Sequence, residues 1–372
     1  MTSDRYQSEV LVIGAGVIGL SVARHFAQAG REVTVLDAQP QIGKGISTRN
    51  SGVIHAGLYY PEDSLKARTC IRGRELLYDY AKLRNISHRQ TGKLIIAADD
   101  SEIAALETLK SNADAIGGGP LSWATAGQLE DLAPGIKAKA ALWSPSTGII
   151  DSGALLLSLA ADLEQAGGQI VLNSPVSRLT DDPGVILDDA DQTRVTARLV
   201  INAAGLRAHS LAANLHPGDA WLPKAHFAKG HYFSLSGPCP VKTLVYPVPA
   251  DGGLGVHLTL SMDGRARFGP DVEWLDNLDD GTFVADRDRQ PLFEQAIRRY
   301  WPDLPEGKLH PDDAGIRPKL FGPGETPADF MITGPDLHGG VGMVHCLGIE
   351  SPGLTAAFAL AETMAEAVPM AI

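Results

Sequence analysis

Gly14-Ala15-Gly16-Val17-Ile18-Gly19 has the spacing of a loop that cradles phosphate, and Asp37 follows about 20 residues later. In such a loop the first glycine allows a tight turn and the second lets a pyrophosphate approach the backbone. The third lets a helix pack closely on its strand. The helix start then offers N–H groups and partial positive charge to the anion, and a carboxylate at Asp37 can accept from ribose hydroxyls. His257, flanked by Val256 and Leu258, is a lone imidazole in an apolar run. It could take a hydroxyl proton near neutral pH, or sit as a satisfied core histidine. Arg317 precedes Pro318, which pushes its backbone to an extended form. Its guanidinium can hold a carboxylate by two parallel hydrogen bonds or serve in a structural ion pair. Tyr246, before Pro247, could lend a hydroxyl to the same anion.

These side chains need elements to place them. Val10-Leu11-Val12-Ile13 is a continuous apolar run, the pattern of a strand buried on both faces of a parallel sheet. The glycine loop follows at once, then a helical pattern to Ala29 closed by Gly30. Val33-Thr34-Val35-Leu36 is a second strand ending at Asp37, so the chain opens β-α-β. Ser64 to Arg84 reads as a helix with Ser64 as N-cap. Its Lys66, Arg68, Arg72 and Arg74 are either a solvated face or a contact for anionic lipid. Gly92 to Ala97 is a strand, Ser152 to Ala166 a helix, and Arg198 to Ile201 a strand running into Asn202-Ala203-Ala204-Gly205. Between Trp221 and Gly269, short β-rich pieces separated by prolines and glycines suggest an antiparallel sheet. Gly353 to Ala367 is a final helix. The simplest arrangement is α/β: a nucleotide-binding domain from 1–85, 145–215 and 315–372, with a β-rich substrate domain from 86–144 and 216–314 inserted.

Composition narrows the function. The 372 residues are 44% hydrophobic and 20% charged, ordinary for a folded globular chain. A net charge of −12 repels phosphate backbones, which argues against nucleic-acid binding. Residues 1–100 hold 13 Lys/Arg against 10 Asp/Glu, so the N-terminal third either receives an anionic ligand or is merely unevenly solvated. Cys70, Cys239 and Cys346 are far apart, which supports neither a disulfide framework nor a metal site and suits a reducing compartment. The longest stretch without Asp, Glu, Lys or Arg runs 15 residues, Ala115 to Leu129, short of the ~20 apolar residues a spanning helix needs. No secretory signal is visible at the start, so a cytoplasmic protein is expected, with peripheral membrane contact left open.

Several longer motifs resemble one family. Ser47-Thr48-Arg49-Asn50-Ser51-Gly52-Val53-Ile54-His55-Ala56-Gly57, Pro145 to Asp151, Gly255-Val256-His257-Leu258-Thr259 and Ala314-Gly315-Ile316-Arg317-Pro318 match it in order, as does Glu350-Ser351-Pro352-Gly353-Leu354-Thr355. The family they resemble is the L-2-hydroxyglutarate dehydrogenase/oxidase family, within the D-amino-acid-oxidase-like FAD oxidoreductases. Lys229-Gly230-His231-Tyr232 departs from it, standing where the family usually has Arg-Gly-Glu-Tyr.

The resemblance implies a Rossmann-type FAD-binding domain of the glutathione-reductase and D-amino-acid-oxidase kind. FAD would be held by Gly14, Gly16, Val17, Ile18, Gly19, Asp37, Ala38, Thr48, Arg49, Asn50, Ser51, Gly52, Val53 and His55. Val176, Ala204, Gly205, Gly315 and Arg317 would join them. The flavin's pyrimidine end would meet Gly348, Ile349, Glu350, Ser351, Gly353, Leu354 and Thr355. His55 would lie beside the isoalloxazine as a polar partner or a covalent attachment point.

The chemistry expected is oxidation of a small 2-hydroxy acid, best matched by L-2-hydroxyglutarate, to the 2-oxo acid. His257 or His55 would take the hydroxyl proton while hydride passes to the flavin. Arg317 and Tyr246 would anchor the carboxylate, and Lys229 or Arg267 would meet a second one. The alternatives are an amine or amino-acid oxidase of the glycine- or sarcosine-oxidase type and a catalytically silent flavoprotein. Oxygen, a quinone and an electron-transfer protein all remain open as acceptor.

Overall fold

The computed structural model describes residues 5–248, 255–278, 281–339 and 342–367. The chain forms two compact units, one from Met1–Thr48, Ser152–His226 and Arg317–Ile372, the other from Arg49–Asp151 and Phe227–Ile316.

The first unit is built on a mainly parallel sheet. The strands Val176–Thr180, Gly184–Leu187, Arg194–Asn202, Arg5–Ile13, Val33–Leu36 and Gln169–Val171 lie side by side in that order. Met343–Leu347 also pairs with Arg194–Asn202, and Met331–Thr333 with Met343–Leu347. The apolar run at Val10–Ile13 is buried as a doubly covered strand should be. The helix Val17–Gln28 packs with the helices Ser152–Gln165 and Gly353–Ala367, and Arg24 Nε reaches Asp162 Oδ2 at 2.7 Å to tie the first two. The β-α-β opening, its Gly30 stop with φ +83° and the final helix match the sequence reading.

The second unit is β-rich. In one sheet the strands Glu273–Leu275, His226–Leu235, Ala266–Phe268, Leu258–Leu260, Leu244–Pro247, Lys93–Ala97, Ala140–Ser144 and Ser122–Trp123 follow one another, and Leu309–Lys319 pairs with His226–Leu235. Leu244–Pro247 runs parallel to Lys93–Ala97, and Val245 stands opposite Leu258 in an antiparallel pair. Phe233, Phe268, Phe293, Tyr300 and Trp301 form the centre of its core.

Two expectations change. The segments 49–85, 145–151 and 315–316 belong to the second unit, while 216–226 belongs to the first. The reason is a three-stranded sheet: Val53–Ile54 and His88–Arg89 both pair with Gly148–Ile150, which binds the chain after Thr48 to the second unit. Nor do Lys66, Arg68, Arg72 and Arg74 make one basic face. On the helix Leu65–Leu83, Lys66 is buried and Arg74 Nη1 donates to Ala56 O and Gly118 O at 3.1 Å, so only Arg68 and Arg72 are exposed.

Candidate active site

In the first unit the glycine loop is closed too tightly at Gly14 and Gly19 for any other residue. Gly14 adopts φ +106°, and a Cβ there would come within 2.5 Å of Ala203 O; a Cβ at Gly19 would overlap Gly14 O. Gly16 caps the helix without a side-chain cap, and Ser47 Oγ accepts from Val17 N at 3.0 Å. Asp37 closes the loop from the other side, accepting from Ala15 N at 2.6 Å and Gln39 N at 2.7 Å. Ala38 follows it on the surface. Thr48 Oγ1 donates to Gly43 O at 2.7 Å, Val176 opens its strand, and Gly205 turns out of Ala204 with φ +58°.

The same unit contains Arg317, half-buried on Leu309–Lys319, and the segment before the last helix. There Gly348 has φ +66°, Gly353 N donates to Glu350 O at 2.6 Å, and the Ile349 side chain lies beside Gly353. Glu350 engages Lys319 Nζ at 2.7 and 2.9 Å, Ser351 is exposed, and Leu354 and Thr355 form the first turn.

In the second unit strand register assembles a polar cluster. Tyr246 falls opposite His257, one step on from Val245 opposite Leu258, and their rings stack at 3.5 Å and 7°. Both are buried, at 3% and 4% exposed. His257 immediately precedes the strand Leu258–Leu260 rather than lying within it. Lys93 pairs with Leu244 on the parallel strand, so its side chain shares a sheet face with Tyr246. Its Nζ lies 4.6 Å from the ring centres of both Tyr59 and Tyr246.

His55 is half-buried by accessible surface yet ringed by protein atoms. Desolvation, then the charge of Lys93, pushes its pKa down to about 3. Cys70 Sγ contacts His55 O at 3.7 Å, and burial pushes that thiol up to about 12. Burial first, then Tyr59 and Tyr232, holds the Tyr246 phenol well above its ordinary range.

The segment before His55 is shaped by its neighbours. Asn50 Oδ1 accepts from Gly52 N at 2.7 Å, Ser51 Oγ donates to the Tyr232 hydroxyl at 3.3 Å, and Val53 pairs with Ile149. Arg49 lies over Phe283, and a Cβ on Gly315 would overlap Arg49 O. Arg267 does not stand ready as a carboxylate partner. It pairs with Asp312 and Asp313, donates to Asn50 O at 2.9 Å and lies 3.8 Å over the Tyr232 ring. Lys229 Nζ donates to Thr282 Oγ1 at 3.3 Å. His231 is fully buried between Asp271 at 2.9 Å and Glu273 at 3.1 Å.

A family model described as FAD dependent oxidoreductase, DAO, matches residues 9–367. L-2-hydroxyglutarate dehydrogenase, mitochondrial, of Arabidopsis thaliana is 40% identical over 405 aligned residues, covering 98% of this chain and 84% of that protein. The chain belongs to the DAO family of FAD-dependent oxidoreductases. The L-2-hydroxyglutarate dehydrogenase of Salmonella houtenae is 28% identical, covering 94% of this oxidoreductase and 90% of its own length. Among solved structures, L-alpha-glycerophosphate oxidase from Mycoplasma pneumoniae with FAD bound superposes with a TM-score of 0.86 at 25% identity, covering 97% and 94% of the two chains. Glycine oxidase from Geobacillus kaustophilus, at 0.81 and 19% identity over 97% and 94%, shows the fold alone.

The first unit of this FAD-dependent oxidoreductase fits its cofactor on its own geometry. A turn closed to a Cβ at Gly14 and Gly19, a twelve-residue helix whose N-cap is a glycine and a carboxylate pinned beside them suit a dinucleotide's pyrophosphate and ribose. Lys93 and Tyr59 were missed by the sequence reading. The one available signal was a lysine heading the otherwise apolar strand Lys93-Leu94-Ile95-Ile96-Ala97.

Proposed function

We propose that the enzyme oxidises a small 2-hydroxy acid, with L-2-hydroxyglutarate as the leading substrate, to the 2-oxo acid. The observation that carries this reading is the 40% identity, over 98% of the chain, to a protein named for that reaction. The reaction removes a proton from the hydroxyl oxygen and a hydride from the carbon that bears it; bound FAD supplies the two-electron acceptor. The chain's part is to bind, orient and deprotonate. His257, held against Tyr246, presents a ring of fixed orientation, and a neutral imidazole nitrogen accepts the hydroxyl proton. Burial and the charge of Lys93 make His55 a weak base, with its pKa near 3, which disfavours it for that step. Tyr246 keeps its phenolic proton and can donate it in a hydrogen bond to a substrate oxygen.

Anaerobic addition of L-2-hydroxyglutarate to the purified holoenzyme should bleach its flavin absorbance, while glycine and sarcosine should leave it unchanged. Bleaching by amino acids but by no 2-hydroxy acid would replace this reading with an amine oxidase. Restoring the spectrum with oxygen, a soluble quinone or an electron-transfer protein in turn identifies the acceptor. A reducing compartment is part of the proposal, supported by three free cysteines.

A further inference from the structure

Lys93 is the one charged group of the second unit's polar cluster that the steps above leave idle. It heads a strand whose other side chains are all buried and apolar, and it is itself 1% exposed. Its Nζ lies 3.4 Å from the Tyr59 hydroxyl and between two aromatic faces, and no carboxylate of the described residues pairs with it. A buried ammonium without a counter-ion is among the costliest groups a folded chain can hold. Two π faces and a phenol offset only part of that cost. Desolvation drives the Lys93 pKa down to about 7, against a weaker opposing pull from Cys70. The other cations the sequence suggested in this unit are engaged, Arg267 by Asp312 and Asp313, and Lys229 by Thr282.

We propose that Lys93 is the cation that receives a carboxylate of the substrate. This rests on the 2-hydroxy acid reading above and names the group that selects an anion. Tyr59 and Tyr246 stay protonated through burial, so each can donate to the same carboxylate, and neutral His55 adds no competing charge. Binding an anion requires the ammonium form. That form dominates below about pH 7 in the free enzyme and is lost above it. Substrate affinity therefore falls as pH rises through 7, about tenfold per unit.

Anaerobic stopped-flow reduction of the holoenzyme by L-2-hydroxyglutarate gives a dissociation constant and a limiting rate from one titration. In Lys93→Met the dissociation constant should rise on the order of a hundredfold and become flat between pH 7 and 9. The limiting rate should stay within about tenfold of the wild type. L-2-Hydroxyvalerate, which lacks the second carboxylate, tells the two ends of the substrate apart. Loss of discrimination against it assigns Lys93 to the distal carboxylate, and equal weakening of both substrates assigns it to the carboxylate beside the reacting carbon. An unchanged dissociation constant overturns the proposal. If the limiting rate also drops by about 10²–10⁴, Lys93 is a proton acceptor instead.

Melting of the variant guards against a merely structural role. The ammonium destabilises the fold fully below about pH 7, and this relief comes only as pH rises towards the ~10.4 of an unfolded lysine. Lys93→Met should therefore melt above the wild type, with a larger gain at pH 6 than at pH 9. A variant that melts lower shows Lys93 to be structural and overturns the assignment. Should no 2-hydroxy acid reduce the wild-type flavin, calorimetry with glutarate, a dicarboxylate that cannot be oxidised this way, separates the two failures. Binding lost in Lys93→Met keeps the anion site while the substrate reading falls, and no binding to either protein ends both.

Discussion

Replacing Arg267 by methionine tests whether this guanidinium binds substrate or holds the protein together. Its ion pairs involve Asp312 and Asp313, which are 41% and 35% exposed, so each is screened and contributes about 0–1 kcal/mol. The hydrogen bond to Asn50 O, at 2.9 Å from a guanidinium that is only 17% exposed, contributes about 1.5–3 kcal/mol. Stacking 3.8 Å over Tyr232 adds about 1–2 kcal/mol. These terms share one side chain and are not strictly additive, so about 3–5 kcal/mol is the expected loss. For a unit of roughly 200 residues that corresponds to a fall of about 10 °C in melting temperature. The segment from Arg49 to Ser51 loses its strap with it, so flavin content should fall as well. Calorimetric melting and the flavin-to-protein absorbance ratio measure both effects on the same sample. A variant that melts and holds flavin like the wild type, yet binds L-2-hydroxyglutarate a hundredfold more weakly, would refute this reasoning. Arg267 would then be a partner for the second carboxylate, the role the sequence alone offered to it or to Lys229.

Other perturbations address the remaining parts. Gly14→Ala forces a Cβ to within 2.5 Å of Ala203 O at a positive φ, which should cost about 2–5 kcal/mol and yield protein with little or no FAD. Full flavin content in that variant would show that the loop is not the cofactor's cradle. His257→Ala should lower the limiting rate of flavin reduction by about 10²–10⁴ while changing substrate affinity little, because a neutral imidazole carries no charge to lose. A wild-type limiting rate there would pass the proton-accepting role to another group.

What the sequence makes legible here is what the local backbone encodes. The glycine loop, the Ser64 cap accepting from Ala67 N and the bounds of the last helix depend on residues within a few positions of one another, and each was readable directly. The domain boundary was not. Val53–Ile54 is a two-residue strand whose partner, Gly148–Ile150, lies nearly a hundred residues away. The ion pairs of Arg267 were illegible for the same reason, since Asp312 and Asp313 reach it from a distant strand and nothing beside it in sequence announces them.

The polar cluster shows why such misreadings concentrate where chemistry happens. Tyr246 and His257 looked separately interesting, but their stacking follows only from Val245 standing opposite Leu258. Beyond its apolar strand, nothing in the sequence marks Lys93, because a lysine at a strand end usually extends its amine to water. Here the parallel pairing of Lys93 with Leu244 puts that amine on the face of the sheet that carries Tyr246, and Tyr59 closes over it. A charge is thus held where a single strand would never keep it, and that cost is what makes the site selective. An uncharged ligand leaves the ammonium unpaired, so the energy that burial withholds from Lys93 returns only when a carboxylate arrives.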